Sequence, residues 1–488
     1  MKYILPLLLC AALLIGCQPA ARKAMREPAR IPRALSTSPY PDLKEGIDAL
    51  LPDSLFPPSS VALKVVSLST GETLYDLNSD LLYTPASNQK LFTAATALSK
   101  LGEDYLLSTV VSIDTLAGII YVKGFGDPLL STTDIDSIAR TLHEVLPPDT
   151  TWTVIGDVSY FDDRQWGKGW MWDDEPDPTA MFITPLSVNR NTIDVRIGPG
   201  PKHGTPLSAT IEPATVFVSL ENEGMTVSDS VIEKIDLTRT WQERSNTLKI
   251  TGEMLVGVSE IVKTVSVWQP ELYMLTLLSE RLQSLGVKVS EALIDTLTPV
   301  AFEVMRYSHR LDSVITYMNK ESDNLTAENL LKTLAAEKRG IPGTGAAGIA
   351  VMKEHLISIG IDTTNIAIAD GSGVSRYNLT SANVIVQLLE SMYRTQEHYD
   401  AFYHSLPIAG VDGSLEDRMK GSTAQGNLRA KTGTLTGVSS LSGYVHTDDE
   451  ELLAFAMLMQ NYTAKAKYYR EVQDRIGIFL SGLRRDDF

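Results

Sequence analysis

Apolar and polar positions change their rhythm several times along the chain. Residues 61–66 (Val-Ala-Leu-Lys-Val-Val) read as a strand, Ser69-Thr70-Gly71 as a turn and residues 73–75 as a second strand, which makes a hairpin. Over residues 87–101 the spacing predicts a helix: Leu91, Ala94, Ala95 and Leu98 fall on one face and Gly102 stops it. From about 106 to 289 short alternating strands recur, such as 119–122 and 192–196, and Trp152, Trp166, Trp170 and Trp172 crowd together. This stretch reads as a β-rich insertion, left by a helix at 272–285 that Gly286 caps. Helical periodicity returns at 311–319, 326–338, 348–359 and 381–394. Strands at 440–445 and 452–459, joined across Asp448-Asp449-Glu450, and an amphipathic helix at 464–483 complete the chain. Similar patterns at both ends, with a different one between, predict one α+β domain built from both ends of the chain around an insertion.

Length and charge narrow this picture. A chain of 488 residues is too long for one ordinary core. Its 43% hydrophobic and 21% charged residues are a globular composition, and a net charge of −17 argues against general nucleic-acid binding. The apolar run at 4–15, behind Lys2, is too short to span a bilayer. It ends in Leu14-Ile15-Gly16-Cys17, which resembles the lipobox of bacterial lipoproteins, where the Cys becomes the lipidated first residue; an ordinary secretory signal with a chance Cys is the alternative. The only other Cys, Cys10, lies inside the apolar run, so the processed chain has no pair for an internal disulfide. Arg22, Lys23, Arg26, Arg30 and Arg33, against Glu27, suit a tether beside anionic headgroups or a merely solvated leader. The expected organisation is a signal peptide at 1–16, a tether at 17–45, one domain from 46–105 and 290–488, and the insertion at 106–289.

Three short motifs carry chemistry. Ser87-Asn88-Gln89-Lys90 opens the first long helix, where residues three apart share a face, and no other Lys has a Ser three positions before it. A Ser at a helix start gains from the local positive field when an oxyanion develops beside it, and a Lys one turn on takes its proton if its own pKa is lowered. Ser322-Asp323-Asn324 lies between two predicted helices and offers a hydroxyl and an amide, although helix capping alone would explain it. Lys431-Thr432-Gly433-Thr434 occurs once, ahead of the strand at 440–445. Lys and Thr there suit a carboxylate, and Gly lets a substrate approach the backbone.

In the order SxxK, SxN, KTG these motifs resemble the penicillin-interacting serine peptidases, specifically the class C low-molecular-mass penicillin-binding proteins. The resemblance runs from about residue 50 to the C-terminus and includes Lys123-Gly124-Phe125-Gly126-Asp127-Pro128, Gly169-Trp170-Met171-Trp172-Asp173-Asp174, Asp370-Gly371-Ser372-Gly373-Val374-Ser375-Arg376 and Gly410-Val411-Asp412-Gly413. The offset of 235 positions from Ser87 to Ser322 matches the family's large insertion. The resemblance implies an antiparallel sheet with helices on both faces, shared with the serine β-lactamases, and D-alanyl-D-alanine carboxypeptidase activity, often joined by endopeptidase activity. Its substrates are peptidoglycan stem peptides, and β-lactam antibiotics acylate its serine.

It also implies roles. Ser87 attacks, Lys90 takes its proton, Ser322 and Lys431 relay a proton to the leaving amine, and Asn324 binds the substrate. Backbone N–H groups of Ser87 and Thr434 form the oxyanion hole, and Lys431 with Thr432 holds the terminal carboxylate beside Gly433. Asp157, with Phe161 and Arg376, is expected to read a diamino acid in the stem peptide; a turn role for Asp157 after Gly156 is equally consistent. Class A β-lactamases share the motifs, but this chain has no ExxLN segment to activate a deacylating water. A catalytically idle homologue serving as an envelope scaffold or binding module is the alternative, against which stands the presence of all the chemical residues. No HExxH and no Cys pair point to a metal, and no cofactor is expected. Gly343-Thr344-Gly345-Ala346-Ala347-Gly348 matches GxGxxG but follows a charged helical stretch, so it reads as a loop entering a helix. The Trp cluster reads as core, with a sugar platform as the alternative. Lipidation at Cys17 would place the protein in the cell envelope, on the periplasmic side, anchored to a membrane.

Overall fold

The strand Leu452–Gln460 shows why the fold has two cores. Its sequence, Leu-Leu-Ala-Phe-Ala-Met-Leu-Met-Gln, is apolar almost throughout because both faces are covered. Ala454, Ala456 and Leu458 point into one core; Leu453, Phe455, Met457 and Met459 point into the other. The computed structural model describes residues 35–52, 54–56, 59–296 and 301–487. The lipobox and most of the expected tether lie outside the described residues.

This strand lies at the centre of a five-stranded antiparallel sheet in the order Arg429–Leu435, Val438–His446, Leu452–Gln460, Ser60–Ser67, Thr73–Leu77. The two ends of the chain thus meet in one sheet. One face packs against Gln89–Leu101, Leu311–Lys320, Asn324–Arg339 and three further helices. The other is covered by Ala466–Ser481 and by a helix that the sequence pattern missed, Pro41–Ala49. That helix corrects the expected tether boundary at 45. Leu43 and Ile47, four residues apart, are buried on one face. Ser36 Oγ donates to the Asp48 carboxylate at 2.7 Å, and Thr37 pairs with Asp76. The chain is docked from Ser36 onward.

The insertion is less purely β than its pattern predicts and runs past the expected boundary at 289, because two of its strands lie at 288–294 and 302–310. It builds a mixed five-stranded sheet in the order Lys288–Ile294, Thr151–Asp157, Ile119–Gly124, Leu106–Asp114, Phe302–Arg310, with parallel pairing across its first three strands. Parallel neighbours need crossovers, and helices Thr132–Val145 and Pro270–Ser284 supply them. The first has a capping box from Ser131 and Asp134 and buries Ile135, Ile138, Ala139 and Leu142. Three smaller sheets complete this part.

Candidate active site

Ser87 sits in a 3-10 turn, Ala86–Asn88, immediately before the helix Gln89–Leu101. Ala86 holds a left-handed φ of 48°, a strained conformation for a residue with a Cβ. Asn88 anchors the turn: Nδ2 donates to the Lys431 carbonyl at 2.8 Å, and Oδ1 accepts from Ser442 Oγ at 2.7 Å. The serine turn is therefore fastened to the strand that bears the KTG motif. Two glycines permit the close packing. A Cβ on Gly433 would lie 3.0 Å from the Ser87 amide nitrogen, and one on Gly373 would overlap the Ala86 carbonyl oxygen.

Lys90, one helical turn on, is completely buried. Its Nζ lies 2.5 Å from Asn324 Oδ1, 2.7 Å from the Ser372 carbonyl and 3.1 Å from Ser87 Oγ. The first two partners can only accept. A neutral amine gives them both its hydrogens and turns its lone pair toward the Ser87 hydroxyl, the arrangement a general base requires. Burial brings the Lys90 pKa down to about 8, while the charges of Asp323, Asp370 and Glu328 oppose the fall. Lys431 is also fully buried; its Nζ donates to Ser322 Oγ at 2.9 Å and to the Thr432 carbonyl at 3.0 Å. Burial, reinforced by the charge of Lys90, pushes Lys431 well below the usual lysine range.

The SxN tripeptide divides its labour. Asp323 caps the helix Asn324–Arg339 by accepting from the Thr326 amide at 2.7 Å. Its neighbours are released to the cleft. Ser322 takes a left-handed φ of 58°, and Asn324 spends its amide nitrogen on the Thr179 carbonyl at 2.6 Å. Ser87, Ser322, Asn324, Thr432, Gly433 and Thr434 line one cavity of about 460 Å³. Its wall also carries Ser414, Arg418 and Arg470, together with the acids Asp173, Asp174, Asp177 and Glu321.

Three expected substrate residues do not line this cavity. Asp157 is fully buried at the end of the strand Thr151–Asp157, 2.9 Å from Lys123 Nζ, and accepts from the Ser159 amide. Phe161 is buried against Tyr160, Phe125 and Ala336. Arg376 is exposed and donates to the Thr436 carbonyl at 2.7 Å, beside Val374 and Leu435, which do line the cavity. Lys431 is buried beneath the cleft surface; Thr432, Thr434 and Ser414 line the cleft, as does Arg418, whose guanidinium pairs with Asp474.

Sequence reasoning quoted the stretch Asp370–Arg376 but missed Glu328, the residue that holds it. Glu328 follows Asn324 by one helical turn, wholly inside, and accepts from the Gly371 and Ser372 amides at 3.0 and 2.8 Å. It thereby fixes the carbonyl that grips Lys90. Asp370 clamps the same loop from within, accepting from the Gly373 and Ser375 amides and from Trp170 Nε1. Burial and the Asp370 charge raise the Glu328 pKa to about 8. The available signal was a carboxylate four residues after Asn324 on the inward face of a helix.

Nucleophile, buried amine, hydroxyl–lysine pair and edge strand around one cleft define an active-site serine peptidase of the penicillin-interacting class. A model of the D-Ala-D-Ala carboxypeptidase 3 (S13) family matches residues 43–482, and the chain belongs to that family. It is similar to a D-alanyl-D-alanine carboxypeptidase of an Actinomadura strain, 32% identical over 470 residues covering 90% of this chain and 84% of the relative. It is 24% identical over 425 residues to the D-alanyl-D-alanine carboxypeptidase DacB of Haemophilus influenzae, covering 83% of this chain and 86% of the relative. In three dimensions it resembles the crystal structure of penicillin binding protein 4 from Haemophilus influenzae, with a TM-score of 0.76 at 21% identity over 90% of this chain and 99% of that one.

Replacing Glu328 tests the loop it holds. Glu328→Ala leaves two buried amides unpaired at a cost of about 1–3 kcal/mol each and lowers the denaturation midpoint. Glu328→Gln keeps an acceptor oxygen and recovers most of that loss. Equal destabilisation by both substitutions, measured by urea unfolding, would mean that the two hydrogen bonds are not what the loop depends on.

Proposed function

We propose that the protein hydrolyses the terminal D-Ala–D-Ala bond of peptidoglycan stem peptides through an acyl intermediate on Ser87, and that penicillin acylates the same oxygen. The observation that carries this reading is the Ser87 hydroxyl 3.1 Å from a fully buried Lys90 amine whose other two contacts are acceptors. Ser87 Oγ attacks the penultimate carbonyl carbon and its proton passes to Lys90 Nζ. The Ser87 and Thr434 amides stabilise the oxyanion. As the C–N bond breaks, Ser322 passes its proton to the departing amine and is reprotonated through Lys431, so that the proton Lys90 took from Ser87 is the one delivered. Water then hydrolyses the acyl ester. The carboxylate of the departing D-Ala lies against Thr432, Thr434 and Ser414. The same steps cleave a cross-link when the departing amine belongs to a diamino acid. A free ammonium on the stem peptide is drawn to Asp173, Asp174, Asp177 and Glu321 on the cleft wall; Asp157, spent on Lys123, is not available to it.

Cys17 carries the lipid that holds the enzyme to an envelope membrane. This rests on the Leu14-Ile15-Gly16-Cys17 pattern, and Cys17→Ser should release the protein into the soluble envelope fraction. A variant that stays in membranes after a high-salt wash overturns the anchor.

The chemistry has two checks. Wild-type protein incubated with penicillin should carry a penicilloyl adduct on the peptide containing Ser87, and Ser87→Ala should carry none while keeping its thermal midpoint; an adduct on another serine refutes the assignment. The acylation rate should rise with pH through a midpoint near the Lys90 pKa of about 8, because only the neutral amine accepts a proton. Lys431, buried beside Lys90, is also held well below the usual lysine range. Lys431→Met, which removes the amine that holds Ser322 and leaves the Lys90 contacts in place, should slow acylation. A wild-type midpoint near the free-lysine value of about 10.4 would show that Lys90 is not the base.

A further inference from the structure

Beside the catalytic cleft lies a second, smaller cavity of about 180 Å³ with an aromatic lining. The two share the 3-10 turn Trp172–Asp174 as a wall: Trp172 and Glu175 face the smaller cavity, whereas Asp173 and Asp174 face the cleft. Trp166, Phe182 and Trp268 complete the aromatic surface. Trp166 and Phe182 have ring centroids 5.2 Å apart, and Trp172 is 67% exposed, an unusual position for so large an apolar side chain.

The floor is polar and built. Arg239, only 4% exposed, donates Nε to Glu175 Oε1 at 2.6 Å and Nη1 to Asn246 Oδ1 at 2.9 Å. Asn246 in turn holds the Trp268 backbone at both ends, accepting from its N–H at 2.9 Å and donating to its C=O at 2.8 Å. The buried ion pair thus positions one of the aromatic walls. Arg244, exposed and at a left-handed φ of 48°, stands at the edge of the cavity.

We propose that this cavity binds one pyranose ring of the peptidoglycan glycan strand. Tryptophan faces are electron-rich and accept the polarised C–H bonds of a sugar's apolar face. Glu175 and Arg239 form the floor, where Glu175 is an acceptor for ring hydroxyls and acetamido groups and Arg239 is held by Glu175, Asn246 and Ser266. The two charges neutralise each other, and with Arg244 alongside, a quaternary ammonium finds no net attraction, so the aromatic walls do not form a cation cage. The shared turn places the saccharide next to the peptide that the cleft receives. The inference extends the peptidoglycan reading of the cleft: the peptide substrate would be gripped at its glycan as well as at its terminus.

The test uses chitotetraose, a peptide-free oligomer of N-acetylhexosamine, and intrinsic tryptophan fluorescence of the full-length protein. Saturable binding at up to millimolar sugar is expected, weakened about tenfold or more by Trp268→Ala and by Arg244→Gly. Arg244→Gly suits the left-handed backbone and tests the site even if Trp268→Ala fails to fold. In the same variants kcat/KM should fall about tenfold on a disaccharide-linked pentapeptide and stay unchanged on the free pentapeptide. Absence of a fluorescence response in wild type, or binding unaltered in Arg244→Gly, overturns the saccharide site. The sugar titration does not require Ser87 chemistry, so it remains readable if the peptidase reading fails, and penicillin adduct formation remains readable if the sugar does not bind.

Discussion

The site is organised by the need to hold an amine out of water. An isolated ammonium in a protein interior costs several kcal/mol, so a buried lysine sheds its proton more readily and needs acceptors for the hydrogens it keeps. Lys90 finds them on Asn324 and on the Ser372 carbonyl. Each acceptor needs support of its own. Asn324 is placed by the cap that Asp323 makes; Ser372 is placed by Glu328 and the Asp370 loop. The serine turn, the two motif-bearing helices and the KTG strand are thus fixed by successive hydrogen bonds that begin at one nitrogen. Acid–base balance follows from the same burial: three carboxylates hold up the Lys90 pKa that desolvation pulls down, leaving an amine that is uncharged within reach of neutral pH.

Much of this was legible in the sequence, for identifiable reasons. Helix Gln89–Leu101 and strand Leu452–Gln460 announce themselves because their periodicity is dictated by burial, and Ser87, Lys90, Ser322, Asn324 and Lys431 because they stand in three short motifs that the fold brings into hydrogen-bond contact. Helix Pro41–Ala49 was hidden because it contributes only Leu43 and Ile47 to the core and follows a tether-like stretch. Asp157 was misplaced because an acid after Gly in a matching segment looks the same on paper whether it faces a ligand or a neighbouring Lys123. The acids that do reach the cleft stand in a turn whose backbone is irregular, with no period to show which side chains face which cavity. Glu328 escaped because a buried carboxylate on a helix has no sequence signature apart from what surrounds it.

The central sheet has a consequence for how the protein is made. Strand Ser60–Ser67 is synthesised early, but its partner Leu452–Gln460 is among the last segments to appear. At ordinary translation speeds the first waits roughly 20–80 s for the second. The stretch between them can close its own mixed sheet while the catalytic sheet still lacks its middle strand. Contacts of such long sequence separation form slowly, so the nascent chain stays open throughout its synthesis. Any truncation that removes Leu452–Gln460 takes the middle strand out of the sheet and leaves Ser60–Ser67 and Val438–His446 unjoined.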